Sequence, residues 1–170
     1  MISNSFNIIL LLLISLFLNK VLLACVFLFT FIVGRLLCGG FHANTHLSCF
    51  LLTQSNNLLF LLIVCITKGS YIPYITIFLS AFSTITILLL APIEHENNPI
   101  SQKIKKKCRF LSIFLILFID ILTLVMLVSH IALKGVLSMN IGIFLVSISL
   151  LISFIKKHLK KEATFHEKST

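Results

Sequence analysis

The stretch FLSIFLILFIDILTLVMLVSHI, residues 110–131, decides the fold class of this chain. Asp120 is its one acidic residue, and most of the other positions are apolar. A helix of about 20 apolar residues crosses the roughly 30 Å hydrocarbon core of a bilayer. Three further stretches have a similar length and character: residues 48–67, 71–91 and 136–155. The sequence therefore predicts an all-α integral membrane protein with four transmembrane helices.

The composition excludes several classes of soluble protein. Of the 170 residues, 58% are hydrophobic and 11% are charged, whereas a soluble domain has about 45–50% apolar and about 25% charged residues. A soluble fold of this size buries only about 70% of its surface, so a soluble enzyme or a disordered regulator does not fit. The net charge of +9 does not indicate nucleic-acid binding, because the lysines form two runs beside apolar stretches, a juxtamembrane pattern.

The distribution of basic residues predicts the orientation of the chain. The loop 92–109 and the tail 156–170 each contain five Lys or Arg residues, whereas the turns around Lys68 and Lys134 contain one each. Basic segments beside transmembrane helices stay in the cytoplasm. We therefore expect the loop 92–109 and the C-terminus to face the cytoplasm. Four crossings would place the segment before Ser48 on the same side.

The N-terminal apolar block, residues 6–33, does not fit one upright helix. As a single helix it would be about 42 Å long, and Lys20 would lie near the middle of the membrane at a cost of at least about 2.5–3.5 kcal/mol. A break at Asn19 and Lys20 gives two pieces of about 13 residues, each too short to cross. We expect a re-entrant or interfacial apolar hairpin with a cytoplasmic N-terminus.

The segment 34–53, GRLLCGGFHANTHLSCFLLT, concentrates residues with chemical functions. His42 could take the proton of the Cys49 thiol and make it a nucleophile. On one straight helix the two would be about 10.5 Å apart along the axis, too far for a hydrogen bond of about 3 Å. The chain must therefore bend, which Gly39 and Gly40 allow. Helix capping by Thr45 or Ser48 would place Cys49 in a first turn, where the helix dipole favours a thiolate.

Two other interpretations of this segment stay open. In the first, Cys49 is a packing residue and His42 lies at the membrane interface. In the second, His42 and His46 bind a metal ion. A zinc-protease helix, however, has the pattern H-E-x-x-H with glutamate as general base, and Ala43 stands at that position here.

Two motifs resemble those of the AgrB family, integral-membrane cysteine endopeptidases of Gram-positive quorum-sensing systems. The first is R-x-x-x-G-G-x-H-A-x-x-x-x-x-C, which here comprises Arg35, Gly39, Gly40, His42, Ala43 and Cys49. The second is similar to the family's A-P-[IV]…N-[KN]-P-[IL] loop and reads APIEHENNPI at residues 91–100. A lysine-rich stretch follows it, and the resemblance extends over the chain from about Leu28.

The resemblance implies a reaction at the cytoplasmic face of a bacterial cell membrane. Cys49 would attack the scissile carbonyl of an AgrD-type propeptide and form an acyl-thioenzyme, with His42 as general base and then acid. A Cys or Ser within the propeptide would then form a thiolactone or lactone ring. Arg35 and Gly40 match positions that the family needs for activity, which implies an anchoring or electrostatic role for Arg35 and a bend at Gly40. No metal or cofactor is expected.

We accordingly predict one polytopic membrane domain in four parts. Residues 1–33 would form the apolar hairpin, residues 34–49 the catalytic segment, residues 48–155 the four-helix bundle and residues 156–170 a basic cytoplasmic tail. The polar residues that follow Cys49 could contact the substrate or the oxyanion, or equally form interhelical hydrogen bonds: Gln54, Asn56 and Asn57. Asp120 is either a functional carboxylate or a helix-packing group.

The expected partners are a small amphipathic AgrD-like propeptide, a bilayer with anionic lipids and a second copy of the chain in a homodimer. The basic run 103–109 is the candidate contact with anionic lipids. Two non-enzymatic interpretations compete with the protease: a membrane component for peptide export, and an inactive scaffold related to the family.

Overall fold

The computed structural model describes residues 2–39, 46–93 and 102–168, with side chains described for residues 7–39, 51–93 and 102–159. This part of the chain forms six helices: α1 (Ile2–Phe17), α2 (Val21–Cys38), α3 (His46–Ile66), α4 (Ile72–Leu90), α5 (Gln102–Val128) and α6 (Leu133–Lys168). One turn of 3-10 helix, Gly69–Tyr71, precedes α4. The described ranges contain no β-strand, and four helices are long and apolar enough to cross a membrane. The predicted fold class, all-α with four membrane-spanning helices, is confirmed.

The N-terminal block forms a helical hairpin that breaks where the sequence predicted. Residues 18–20 make the turn, with Asn19 in the left-handed region at a φ of 54°, a conformation that asparagine tolerates. The prediction that both halves are too short to cross is wrong for α2. This helix has 18 residues and is one of the four candidate spans. It continues past residue 33 because Gly34 packs closely on α6, where an added Cβ would lie 2.9 Å from Ile143 Cδ1.

Helix α4 lies within the predicted stretch 71–91, whereas the other three remaining helices begin or end outside the predicted stretches. α3 starts at His46, and its described apolar part, Leu51–Ile66, is shorter than the four candidate spans. α5 starts at Gln102 and α6 continues to Lys168, so much of the predicted basic loop and tail is helical. Lys, Arg and Gln are good helix formers, and these helices extend beyond their apolar parts. The α5–α6 turn lies at residues 129–132, before the predicted position at residues 133–135.

Helix α6 is the centre of the bundle. In the most apolar 18-residue window of its span Leu133–Leu159, 72% of the residues are buried, compared with 22–33% in the corresponding windows of the other three candidate spans. Gly142 allows α2 to approach closely, because a Cβ there would lie 3.0 Å from the carbonyl oxygen of Phe27. Phe27 in turn stacks on Phe60 of α3, with ring centroids 4.2 Å apart. Packing against α6 therefore positions α2, and α2 positions α3.

Successive helices run in opposite directions, so the bundle has two distinct ends. We call one the motif end: it contains the ends of α2, α4 and α6 and the starts of α3 and α5. α1 also starts there, because Gln54 near the start of α3 hydrogen-bonds to Asn7 near the start of α1. The opposite end contains the turns at residues 18–20, 67–71 and 129–132. Both basic runs of the sequence thus belong to the motif end.

Candidate active site

The first sequence motif lies at the motif end, and the structure describes part of it. α3 begins at His46, so Cys49 falls in its first turn, as predicted. Ser48 is inside the helix and is therefore not its N-cap. His42 and Gly40 lie outside the described residues, as does the side chain of Cys49. The pairing of His42 with Cys49 stays a prediction.

The two motifs meet in a short backbone contact that we call the Gly39–Ile93 junction. Gly39 and Ile93 form an isolated parallel bridge, in which the Ile93 amide donates to the Cys38 carbonyl oxygen at 3.3 Å. Gly39 has a φ of 76° and a ψ of −147°, a conformation that is nearly restricted to glycine. A Cβ on Gly39 would lie 2.6 Å from the Ile93 carbonyl oxygen. The chain thus leaves α2 and α4 at the same place in the bundle, although α3 and α4 separate the two motifs in sequence.

Arg35 connects the last turn of α2 to α6. Its Nη1 donates to Ser149 Oγ at 3.1 Å, and its guanidinium lies 6.0 Å from the ring centroid of Phe31, within the range of a cation–π contact. The nearly buried Ser149 gives the guanidinium a polar partner inside the bundle. Arg35 thereby holds the helix that leads into the Gly39–Ile93 junction.

Gln54, one of the amides that follow Cys49, contacts α1, a neighbour that the sequence did not predict. Gln54 Nε2 donates to Asn7 Oδ1 at 2.6 Å. Asn7 is 1% exposed and Asn57 is 5% exposed, and the Nδ2 groups of both have no hydrogen-bond partner. Asn56 is half-buried on α3. Leaving such donors unpaired costs about 1–3 kcal/mol each, so each of these groups calls for a further partner, such as water or a ligand. The sequence signal for Asn7 is an amide side chain within a mostly apolar helix.

Asp120 has the interhelical partners that the packing interpretation predicts. Ser80 Oγ and Thr84 Oγ1, one turn apart on α4, donate to its two carboxylate oxygens at 2.5 and 2.6 Å. Asp120 lies about 16 Å along α5 from Arg109, deep in the bundle and away from the motif end. The two hydroxyls satisfy the carboxyl group and connect α4 to α5.

A cleft of about 330 Å³ opens at the motif end beside the junction. Ile93 and Pro92 line it together with basic residues of α5 and α6. Among the residues that the structure describes, no group of three or more His, Cys, Asp or Glu side chains is placed to hold a metal ion. The alternative metal site at His42 and His46 involves side chains outside those residues.

Comparisons with known proteins identify the family. No curated protein and no solved structure matches the chain. The family model described as Accessory gene regulator B matches residues 1–155, which include both motifs, the junction and all six helix starts. The four apolar helices agree with a multi-pass membrane protein. The chain therefore belongs to the AgrB family and has a role in the agr quorum-sensing system.

Proposed function

We propose that this protein is a membrane cysteine endopeptidase that cleaves an AgrD-type propeptide and promotes its cyclisation to a thiolactone or lactone autoinducing peptide. The observation that carries the proposal is the family match over residues 1–155, with His42 and Cys49 at the motif positions of that family. The first-turn position of Cys49 in α3 supports it, because the N-terminus of a helix stabilises a thiolate.

The proposed reaction has two acyl transfers. His42 takes the proton of the Cys49 thiol, and the sulfur attacks the scissile carbonyl carbon of the propeptide. The C–N bond breaks, and the leaving amine receives the proton from His42. A Cys thiol or Ser hydroxyl within the bound propeptide then gives its proton to His42 and attacks the thioester. The ring closes, and Cys49 leaves with the proton that His42 returns.

Several residues around the dyad would position it. The hydrogen bond of Arg35 to α6 supports the anchoring role, and Gly40 would provide the bend that leads to His42. The half-buried amide of Gln54 and the buried amides of Asn57 and Asn7 offer N–H groups to carbonyl oxygens of the substrate. Asn56 is a further candidate for this contact.

We place the site at the cytoplasmic face of the bacterial cell membrane, with the C-terminus on the same side. Both basic runs belong to the motif end, and basic segments stay in the cytoplasm. Anionic lipids at this face and a second copy of the chain are the further partners that we propose.

The thioester gives the direct test. Co-expression with the cognate propeptide should produce a hydroxylamine-sensitive adduct on this chain, and the adduct should accumulate when the internal nucleophile of the propeptide is changed to alanine. Cys49→Ser should remove it, and His42→Ala should slow its formation by roughly 10²–10⁴-fold. Cys65→Ser, in the last turn of the same helix, is the matched control and should retain it. Normal processing by Cys49→Ala would exclude the protease and favour the export component or the scaffold.

A further inference from the structure

The cleft at the motif end has a divided lining. Four of the described lining residues are apolar, and we call them the apolar floor: Leu90, Pro92, Ile93 and Phe154. The other three are basic and come from two helices that are far apart in sequence: Lys105 on α5, and Lys157 and His158 on α6. None of these lining residues is acidic. The cleft therefore suits a ligand with an anionic group joined to an apolar part.

The depth of the cleft matches the membrane interface. Leu90 is the last residue of the candidate span Gly69–Leu90, and Lys157 is close to the end of the span Leu133–Leu159. The cleft thus lies where the apolar parts of the bundle end, which is the level of lipid headgroups. Its floor continues into apolar side chains that the bundle leaves exposed, such as Leu89 at 75% and Ile155 at 52%.

We propose that this cleft binds the headgroup phosphate of an anionic phospholipid, with the acyl chains lying along the exposed apolar surface of α4 and α6. Lysine ammonium groups are compact charges that bind phosphate, and basic pockets between transmembrane helices bind anionic headgroups. An acidic peptide would use the same charges, but the apolar floor and the interfacial depth favour a lipid.

The position of Ile93 links this lipid site to the catalytic segment. Ile93 lines the cleft and is also the bridge partner of Gly39. A bound lipid therefore lies against one partner of the Gly39–Ile93 junction. A role of this contact in catalysis rests on the proposed protease function, whereas lipid binding itself does not depend on it.

The test measures lipid selectivity on the full-length protein. The protein is purified from vesicles of phosphatidylcholine with graded phosphatidylglycerol, and native mass spectrometry counts the retained lipids. The double variant Lys105→Gln, Lys157→Gln should lower the preference for phosphatidylglycerol by about 10–30-fold, the value for two lysines near an anionic surface. The matched control Lys103→Gln, Lys106→Gln removes the same charge outside the cleft and should lower the preference clearly less than the cleft variant does.

The other outcomes would overturn the proposal. An equal loss in both double variants would mean that the general surface charge, and not the cleft, selects the lipid. Displacement of the lipid by inorganic phosphate at similar concentrations would make the cleft a site for a free anion. If the cleft double variant keeps its lipid selectivity but binds the propeptide more weakly, the cleft is a site for an acidic peptide. Cys49→Ala separates the two proposals, because it should abolish processing and keep the lipid preference.

Discussion

Substitution of Gly39 by alanine should open the junction between the two motifs. The backbone conformation at φ 76° and ψ −147° costs a non-glycine residue about 1–3 kcal/mol. The added Cβ would also lie 2.6 Å from the Ile93 carbonyl oxygen, so the two segments must separate. Separation breaks the hydrogen bond from Ile93 to Cys38, which contributes about 0.5–1.5 kcal/mol. Together these terms destabilise the closed junction by about 2–4 kcal/mol.

Alkylation of Cys38 reports this opening directly. Cys38 is fully buried beside the junction, so a thiol reagent reaches it only when the junction opens. A destabilisation of about 2–4 kcal/mol raises the open population, and with it the labelling rate, by about 30- to 1,000-fold. Mass spectrometry of the labelled peptides gives the rate, and processing of a co-expressed propeptide should fall in parallel.

Gly69→Ala is the matched control for this experiment. Gly69 has no atom within 4 Å of an added Cβ, so its substitution should leave both Cys38 labelling and processing unchanged. If Cys38 in Gly39→Ala stays as protected as in the unchanged protein, the junction does not depend on glycine and the reasoning fails.

Three further predictions follow from the packing and the orientation of the bundle. Gly142→Ala should lower the free energy of unfolding by about 1–3 kcal/mol through overpacking, whereas Gly135→Ala, whose added Cβ would meet only a side-chain atom at 3.8 Å, should be neutral in the same thermal-denaturation assay. Asp120→Leu should lower the free energy of unfolding by about 1–3 kcal/mol, because two α4 hydroxyls lose their acceptor. Unchanged stability together with loss of the thioester adduct would instead give Asp120 a functional role. A cysteine at Lys68 should react with an impermeant reagent on whole cells and one at Lys105 should not, and the reverse result would invert the proposed orientation.

Hydropathy and turn residues predict the number and class of the helices, because each crossing must satisfy the length of the hydrocarbon core. They do not predict where α2 ends. In the sequence, Gly34 and Arg35 look like the start of a polar segment. In the structure, Gly34 packs on α6, and Arg35 donates a hydrogen bond to the Ser149 hydroxyl of that helix. Both contacts come from residues more than 100 positions away, and local sequence patterns carry no information about them.

The site shows the same limit. The first-turn position of Cys49 follows from helix-capping rules, and those rules are local. The contact of Gly39 with Ile93 and the hydrogen bond of Gln54 to Asn7 depend on how distant helices pack. The basic cleft was also missed, because the sequence places Lys105 and Lys157 in two separate runs and only the bundle brings them together.

The central position of α6 has a consequence for the biosynthesis of this protein. The ribosome makes α6 after the other five described helices, yet α2 and α4 bury their inner faces on it. A nascent chain that ends before residue 133 therefore has both helices in the membrane without the surface on which they pack. Arg35 is synthesised early, but it can form its hydrogen bond to Ser149 only after that residue has been made. The motif at residues 35–49 thus completes its anchoring only after α6 has been synthesised, and chains that terminate before α6 should be substrates for membrane quality-control proteases.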